Sequence, residues 1–199
     1  MVAIEIFADM ACPFTYVGLS RFAEMRDARG SRVDLNFRAW PLEWVNGRPL
    51  DPQVVAEEVD ALREQVAPDL FARFNPARFP TTSLPALALA HAAYRSGQRM
   101  GEHVSLELRR ALFERGSDIS DPAVLDDLAG RFGVMVMDSD RRALADDFAD
   151  GRRRGVKGSP HVFTDETDVF CPFLDIRKTD DGFVISTRPD ALAALAVSA

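Results

Sequence analysis

Residues 2–8, VAIEIFA, alternate apolar and polar side chains at first and are rich in β-branched types, which predicts a strand. PFTYVGLSRFAEMRDA then carries apolar residues at helical spacing. Pro13 suits a first helical turn and Gly30 is placed to end the helix. Residues 31–40, SRVDLNFRAW, alternate again through Val33, Leu35 and Phe37, a second strand. Strand, helix and strand in about 40 residues make a βαβ unit, whose strands run parallel with a right-handed crossover.

Pro41 and NGRP at 46–49 break that pattern. From Pro52 to about Arg154 the spacing predicts helix throughout. PQVVAEEVDALREQVA is amphipathic, and PALALAHAAYRSG is rich in Ala and Leu up to Gly97. GEHVSLELRRALFERG gathers Leu106, Leu108, Leu112 and Phe113 on one side. SDPAVLDDLAGRFG opens on a Ser-Asp-Pro start signal, and SDRRALADDFADGRRRG closes the run. Strand character returns after Gly158: PHVFT and DVFC flank DET as a hairpin, DGFVIST is a further strand, and RPDALAALAVSA is a closing helix. The order is therefore β-α-β, a helical insertion of about 100 residues, then β-β-α.

Composition narrows what such a chain does. With 47% hydrophobic residues in 199, a sizeable core is within reach. A net charge of −7 argues against nucleic acid, which needs clustered cations. Arg152, Arg153 and Arg154 form the one basic run, read as a solvated face or as an anion site. MVAIEIFADM lacks the basic start and long apolar core of a signal peptide, and no apolar run reaches the roughly 20 residues of a membrane helix. A cytoplasmic protein is the expectation, with its two cysteines reduced. His91, His103 and His161 show no zinc spacing, and no metal is expected.

Cys12 is the candidate for chemistry. It falls at the turn from the first strand into the first helix, where unpaired N–H groups and the helix dipole favour an anion. That position predicts an accessible thiol ionising below the free-thiol value of about 8.5. The alternative is a small buried core residue, since free cysteine is often that.

CPFT at the first strand-helix turn, GVKGSP before a late hairpin, and ALFERGSDISD at 111–121 occur in a telling order. By these the chain resembles the DsbA-like branch of the thioredoxin superfamily. Within that branch it is similar to FrnE-like oxidoreductases and to their relatives, kappa-class glutathione transferases and 2-hydroxychromene-2-carboxylate isomerases. The resemblance implies an α/β, thioredoxin-like fold, with residues 1–45 and 155–199 as the thioredoxin-like domain and 46–154 as an all-helical insertion. It makes Cys12 the attacking thiol and Pro160 the cis-proline facing it. The Ser159 backbone is then free to pair with an extended substrate, and Pro13, Phe14, Ser159, Pro160, His161 and Cys171 line the binding groove.

Redox-active members carry a second cysteine where this chain has Thr15. Its hydroxyl either bonds a Cys12 thiolate or bonds the helix backbone. A mixed disulfide at Cys12 must then be released by an external low-molecular-weight thiol such as glutathione, or by Cys171. If DET tops the hairpin, Thr164 faces Asp168, His161 faces Cys171 and Pro160 faces Pro172. On the family's sheet order that strand lies beyond Pro160 from Cys12, which favours Cys171 as groove lining over a preformed disulfide.

Tyr16 and His161 are further candidates to touch the site, His161 otherwise being half-buried. Trp40, Trp44 and the phenylalanines read as core or groove wall. The arginine run with Lys157 could steer an anionic thiol substrate. The expected activity is thiol–disulfide oxidoreduction or thiol transfer on a protein or small-molecule substrate, with no tightly bound cofactor and a possible homodimer. The alternatives are a transferase-like or isomerase-like enzyme that binds a thiol without exchange, and a non-catalytic binding domain.

Overall fold

The computed structural model describes residues 3–31, 33–165, 168–180 and 182–191. Strand β1, Ala3–Ala8, pairs in parallel with β2, Asp34–Ala39, in a register that sets Ile4 beside Leu35 and Phe7 beside Arg38. Helix α1, Pro13–Arg29, connects them. Proline at its first position costs no hydrogen bond, and Gly30 ends it at φ 62°, a left-handed turn that glycine adopts without penalty. On the other side β1 pairs antiparallel with β3, His161–Phe163, which pairs antiparallel with β4, Asp168–Phe170. The sheet order is β2-β1-β3-β4.

Six helices lie between β2 and β3 in the chain. They are α2 Leu42–Asn46, α3 Pro52–Gln65, α4 Leu84–Tyr94, α5 Gln98–Phe113, α6 Pro122–Phe132 and α7 Asp138–Arg153. Asp51 and Asp121 cap α3 and α6: each carboxylate accepts the N–H two residues on, at 2.9 Å, and each is followed by proline. The alternation of β1 separates two packed faces. Ile4, Ile6 and Ala8 join the main core with Val17, Leu19 and Phe22 of α1. Phe7 points the other way, its ring 6.4 Å from Trp40 and 5.6 Å from Phe163, while Trp40 lies 4.8 Å from Phe148 of α7.

Four features depart from the sequence expectation. The stretch after α3 is not helical up to α4. Pro68, Pro76 and Pro80 each remove an N–H, and only the short 3-10 turn Pro76–Arg78 forms there before α4. The segment after Pro41, expected as a break, folds into α2, because Asp9 accepts its first N–H, that of Leu42, at 2.6 Å. A strand was missed: β5, Leu174–Thr179, pairs antiparallel with β6, Gly182–Thr187, as a separate two-stranded sheet. Only Leu174 is buried on β5, too little apolar alternation to signal a strand. Finally, the β3–β4 hairpin is shifted by one residue. Phe163 faces Asp168 and His161 faces Phe170, so Cys171, not Pro172, comes opposite Pro160. The hairpin tip at 166–167 and the closing helix beyond 191 lie outside the described residues.

Packing of α7 on the sheet sets a test. A Cβ on Gly151 would lie 2.6 Å from the Trp40 ring and 3.1 Å from Phe7, whereas one on Gly130 meets nothing within 4 Å. Gly151→Ala is expected to cost about 1–3 kcal/mol in urea unfolding. Gly130→Ala, in an exposed part of α6, is expected to gain about 0.5–1 kcal/mol. Equal effects would contradict this packing.

Candidate active site

The site is built on the loop between β1 and α1. Asp9, fully inside the protein, organises that loop with its carboxylate. Oδ1 accepts the Ala11 N–H at 2.7 Å, while Oδ2 accepts the Leu42 N–H at 2.6 Å and the Ser83 hydroxyl at 3.1 Å. Burial pushes the Asp9 acid up, and these donors pull it back. Arg109 reaches the same loop from α5, its Nη2 donating to the Asp9 carbonyl at 3.2 Å. This guanidinium has no exposed surface. It is held by Ser105, at 3.0 Å to its carbonyl and 2.5 Å to its hydroxyl, and stands 4.9 Å over the Phe37 ring. Burial draws its pKa down to about 10, opposed by the charges of Asp9, Tyr94 and Cys12.

Cys12 is the N-cap residue of α1 and has 4% of its surface exposed. Its thiol donates to the Ser159 carbonyl at 3.3 Å. Ser159 lies in the loop before β3, and its peptide bond to Pro160 is cis. The Ser159 hydroxyl accepts the Asp9 N–H at 2.9 Å and sits 2.8 Å from the Thr15 hydroxyl. One serine therefore ties the strand end, the helix start and the proline loop together.

The expectation of an accessible, low-pKa thiol does not hold. Burial is the largest influence on Cys12 and raises it above the ordinary thiol value. The Thr15 hydroxyl, the Thr15 N–H and the Ser159 hydroxyl favour the thiolate without overcoming that cost, and the charge of Glu58 adds to it. Helix position alone did not reveal the burial. The Ser159 carbonyl is likewise not free, since it holds the Cys12 proton.

The remaining candidates separate into those at the loop and those elsewhere. Pro13 is buried at the start of α1, and the half-buried Phe14 packs 6.2 Å from Phe183 of β6. The Cys171 N–H donates to the Pro160 carbonyl at 2.8 Å, and its thiol is pushed up to about 12, by burial first and then by the Cys12 charge. Both cysteines are free thiols.

His161, expected half-buried in the groove, is 1% exposed and turned to the Phe7 face of the sheet. Its ring stacks 4.7 Å from Phe163, Nδ1 accepts the Lys157 N–H at 3.1 Å, and Nε2 lies 3.2 Å from Asp168. Tyr16 also turns away: its hydroxyl donates to Glu114 at 2.7 Å and its ring stacks on Phe113 at 5.0 Å. Arg154 is engaged by Glu5 at 2.6 Å and lies over Phe163, while the exposed Arg153 pairs with Asp150 at 2.8 Å. Trp40 is core, while Trp44 keeps 37% of its surface exposed beside Phe148.

Asp9, Arg109 and Glu58 were missed by the sequence reading. Asp9 and Arg109 are charged residues in otherwise apolar contexts. Arg109 falls on the inward face of α5 among Ser105, Leu108 and Leu112, and that interruption is the signal that could have found it. Glu58 sits on α3 next to the buried Val59, and burial pushes its acid up to about 7. No group of residues suited to a metal occurs among the described residues, and no helix among them is long and apolar enough to cross a membrane.

A parallel β1–β2 pair joined by α1, an antiparallel β3–β4 hairpin, and a cysteine at the first helix facing a cis-proline loop define a thioredoxin-like protein. The chain belongs to the DSBA-like thioredoxin domain family, whose model matches residues 3–177. Its solved neighbours are DsbA-like. A 2-hydroxychromene-2-carboxylate isomerase superposes with a TM-score of 0.65 at 13% identity, covering 84% of this chain and 88% of that one. The cytosolic disulfide reductase DsbM from Pseudomonas aeruginosa, solved with glutathione, gives 0.62 at 15% identity, with 84% and 88% covered. A probable DsbA oxidoreductase from Streptomyces coelicolor gives 0.62 at 18% identity, covering 94% of this chain and 100% of its own. No curated protein sequence matches the chain. The family includes oxidoreductases and isomerases.

His161 gives a pH test. Burial lowers its pKa, with the Lys157 and Arg154 charges acting the same way and Asp168 opposing. The unfolded chain therefore takes up this proton first, so the His161 contribution is present above about pH 6.5 and lost as pH falls below it. Between about pH 7 and about pH 5.5 the wild type is expected to lose more unfolding free energy than His161→Gln. A larger acid loss in the variant would contradict the neutral, buried ring.

Proposed function

We propose that this chain is a thiol–disulfide oxidoreductase or thiol transferase in which Cys12 is the nucleophile. The observation that carries the reading is the Cys12 thiol at the start of α1, 3.3 Å from the Ser159 carbonyl and supported by Thr15. Attack requires the thiolate, so the buried thiol must first lose its proton. Family membership supplies a route. An extended substrate that donates its N–H to the Ser159 carbonyl takes the place of the Cys12 S–H, in the manner of strand addition. The freed thiol then has the Thr15 hydroxyl as donor to its anion. Ser159 can donate to the Thr15 oxygen while accepting from Asp9, which leaves the Thr15 proton for the sulfur. Arg109, behind the loop, favours negative charge there.

The thiolate attacks one sulfur of a substrate disulfide, forms a mixed disulfide and releases the other sulfur as a thiolate. Thr15 cannot complete the exchange. A low-molecular-weight thiol such as glutathione is the proposed co-substrate, supported by the glutathione complex of the DsbM neighbour. No tightly bound cofactor is needed for this chemistry.

A second reading is favoured by the burial of Cys12 and by its raised pKa: an isomerase-like or transferase-like enzyme that holds a thiol non-covalently. Glutathione-dependent reduction of a small disulfide separates the two. Under the first reading Cys12→Ser abolishes turnover. Thr15→Val slows it about tenfold by removing a charge-assisted hydrogen bond that favours the Cys12 thiolate. Turnover that survives Cys12→Ser would overturn the nucleophile and leave the second reading.

A further inference from the structure

We infer that Cys171 is the resolving thiol of this site, closing an internal disulfide with Cys12 across the Ser159–Pro160 segment. The inference rests on the reading of Cys12 as nucleophile. These are the only two cysteines in the chain, and they meet consecutive residues of one segment: the Cys12 sulfur contacts the Ser159 carbonyl at 3.3 Å, and the Cys171 backbone N–H contacts the Pro160 carbonyl at 2.8 Å. The one-residue shift of the hairpin register produces this approach. With Phe170 opposite His161, Cys171 is the first residue past the ladder, level with Pro160.

Its backbone is unusual there. Cys171 has φ 45°, and only Phe71 shares a positive φ with it among the described non-glycine residues. Side-chain-bearing residues seldom adopt that region, and where they do at a functional site the conformation is part of a device. Residues 171–173 form a bend and turn outside both sheets.

Electrostatics gives the pair an order of events. A charged Cys12 holds the Cys171 thiol up, after burial itself. In a mixed disulfide Cys12 carries no charge, so it does not oppose ionisation of Cys171, and burial remains the main opposition.

The chemistry balances with a disulfide as oxidant. The Cys12 thiolate attacks oxidised glutathione, forming one S–S bond and releasing one glutathione thiolate. The Cys171 thiolate then attacks the Cys12 sulfur, forming Cys12–Cys171 and releasing the second. The two protein thiol protons end on the two glutathiones, and two electrons pass from protein to glutathione. Thr15 takes no part in resolution.

The test is to expose the reduced full-length protein to oxidised glutathione, quench in acid and map peptides under non-reducing conditions. The expected result is a Cys12–Cys171 cross-linked peptide in the wild type. In Cys171→Ser, a Cys12–glutathione adduct should accumulate to about tenfold the wild-type level, because resolution is lost. Equal adduct at Cys12 in both proteins, with no cross-link in the wild type, would overturn the resolving role and leave Cys12 as nucleophile. Absence of both adduct and cross-link at Cys12 would overturn the nucleophile as well. The wild-type map decides the matter even if Cys171→Ser folds poorly.

Discussion

Ser159 is the point on which the site depends. Its hydroxyl takes the Asp9 N–H from the end of β1 and meets Thr15 on α1, and its carbonyl takes the Cys12 thiol proton. These groups are all buried, and each would be left unsatisfied inside the protein if the serine moved. The proline loop, the first strand and the first helix are therefore fixed to one another through a single residue. Asp9 extends the same constraint to the helices, through Leu42 at the head of α2 and through Ser83 before α4.

Two opposing effects meet at Cys12. Its place at a helix N-terminus, with Thr15 beside it and Arg109 behind the loop, favours a thiolate. Removal from water disfavours it, and so does Glu58. Burial is the larger, so the closed site holds a protonated thiol. On the proposed reading, this arrangement keeps the sulfur inert until a substrate competes for the Ser159 carbonyl.

Much of the fold was legible because it follows local periodicity. The βαβ start, the amphipathic helices and the late hairpin are all visible as spacing in the chain. The order of CPFT and GVKGSP gave the superfamily. What was illegible depends on contacts between distant residues. The hairpin register turned on one residue at a tip that pattern alone does not fix. Strand β5 has too few buried residues to announce itself. The role of Asp9, the burial of Cys12 and the inward guanidinium of Arg109 arise only when α2, α4 and α5 close over the loop. His161 follows the proline in sequence, yet strand alternation turns it to the opposite face from Val162, into the Phe7 cluster.

The central claim is that the resting Cys12 thiol is governed by burial rather than by its helix. The rate at which a small alkylating reagent modifies Cys12 in the native protein, followed against pH, reads this directly. The account expects slow modification with an inflection above the free-thiol value of about 8.5. Fast modification with an inflection well below that value would contradict it.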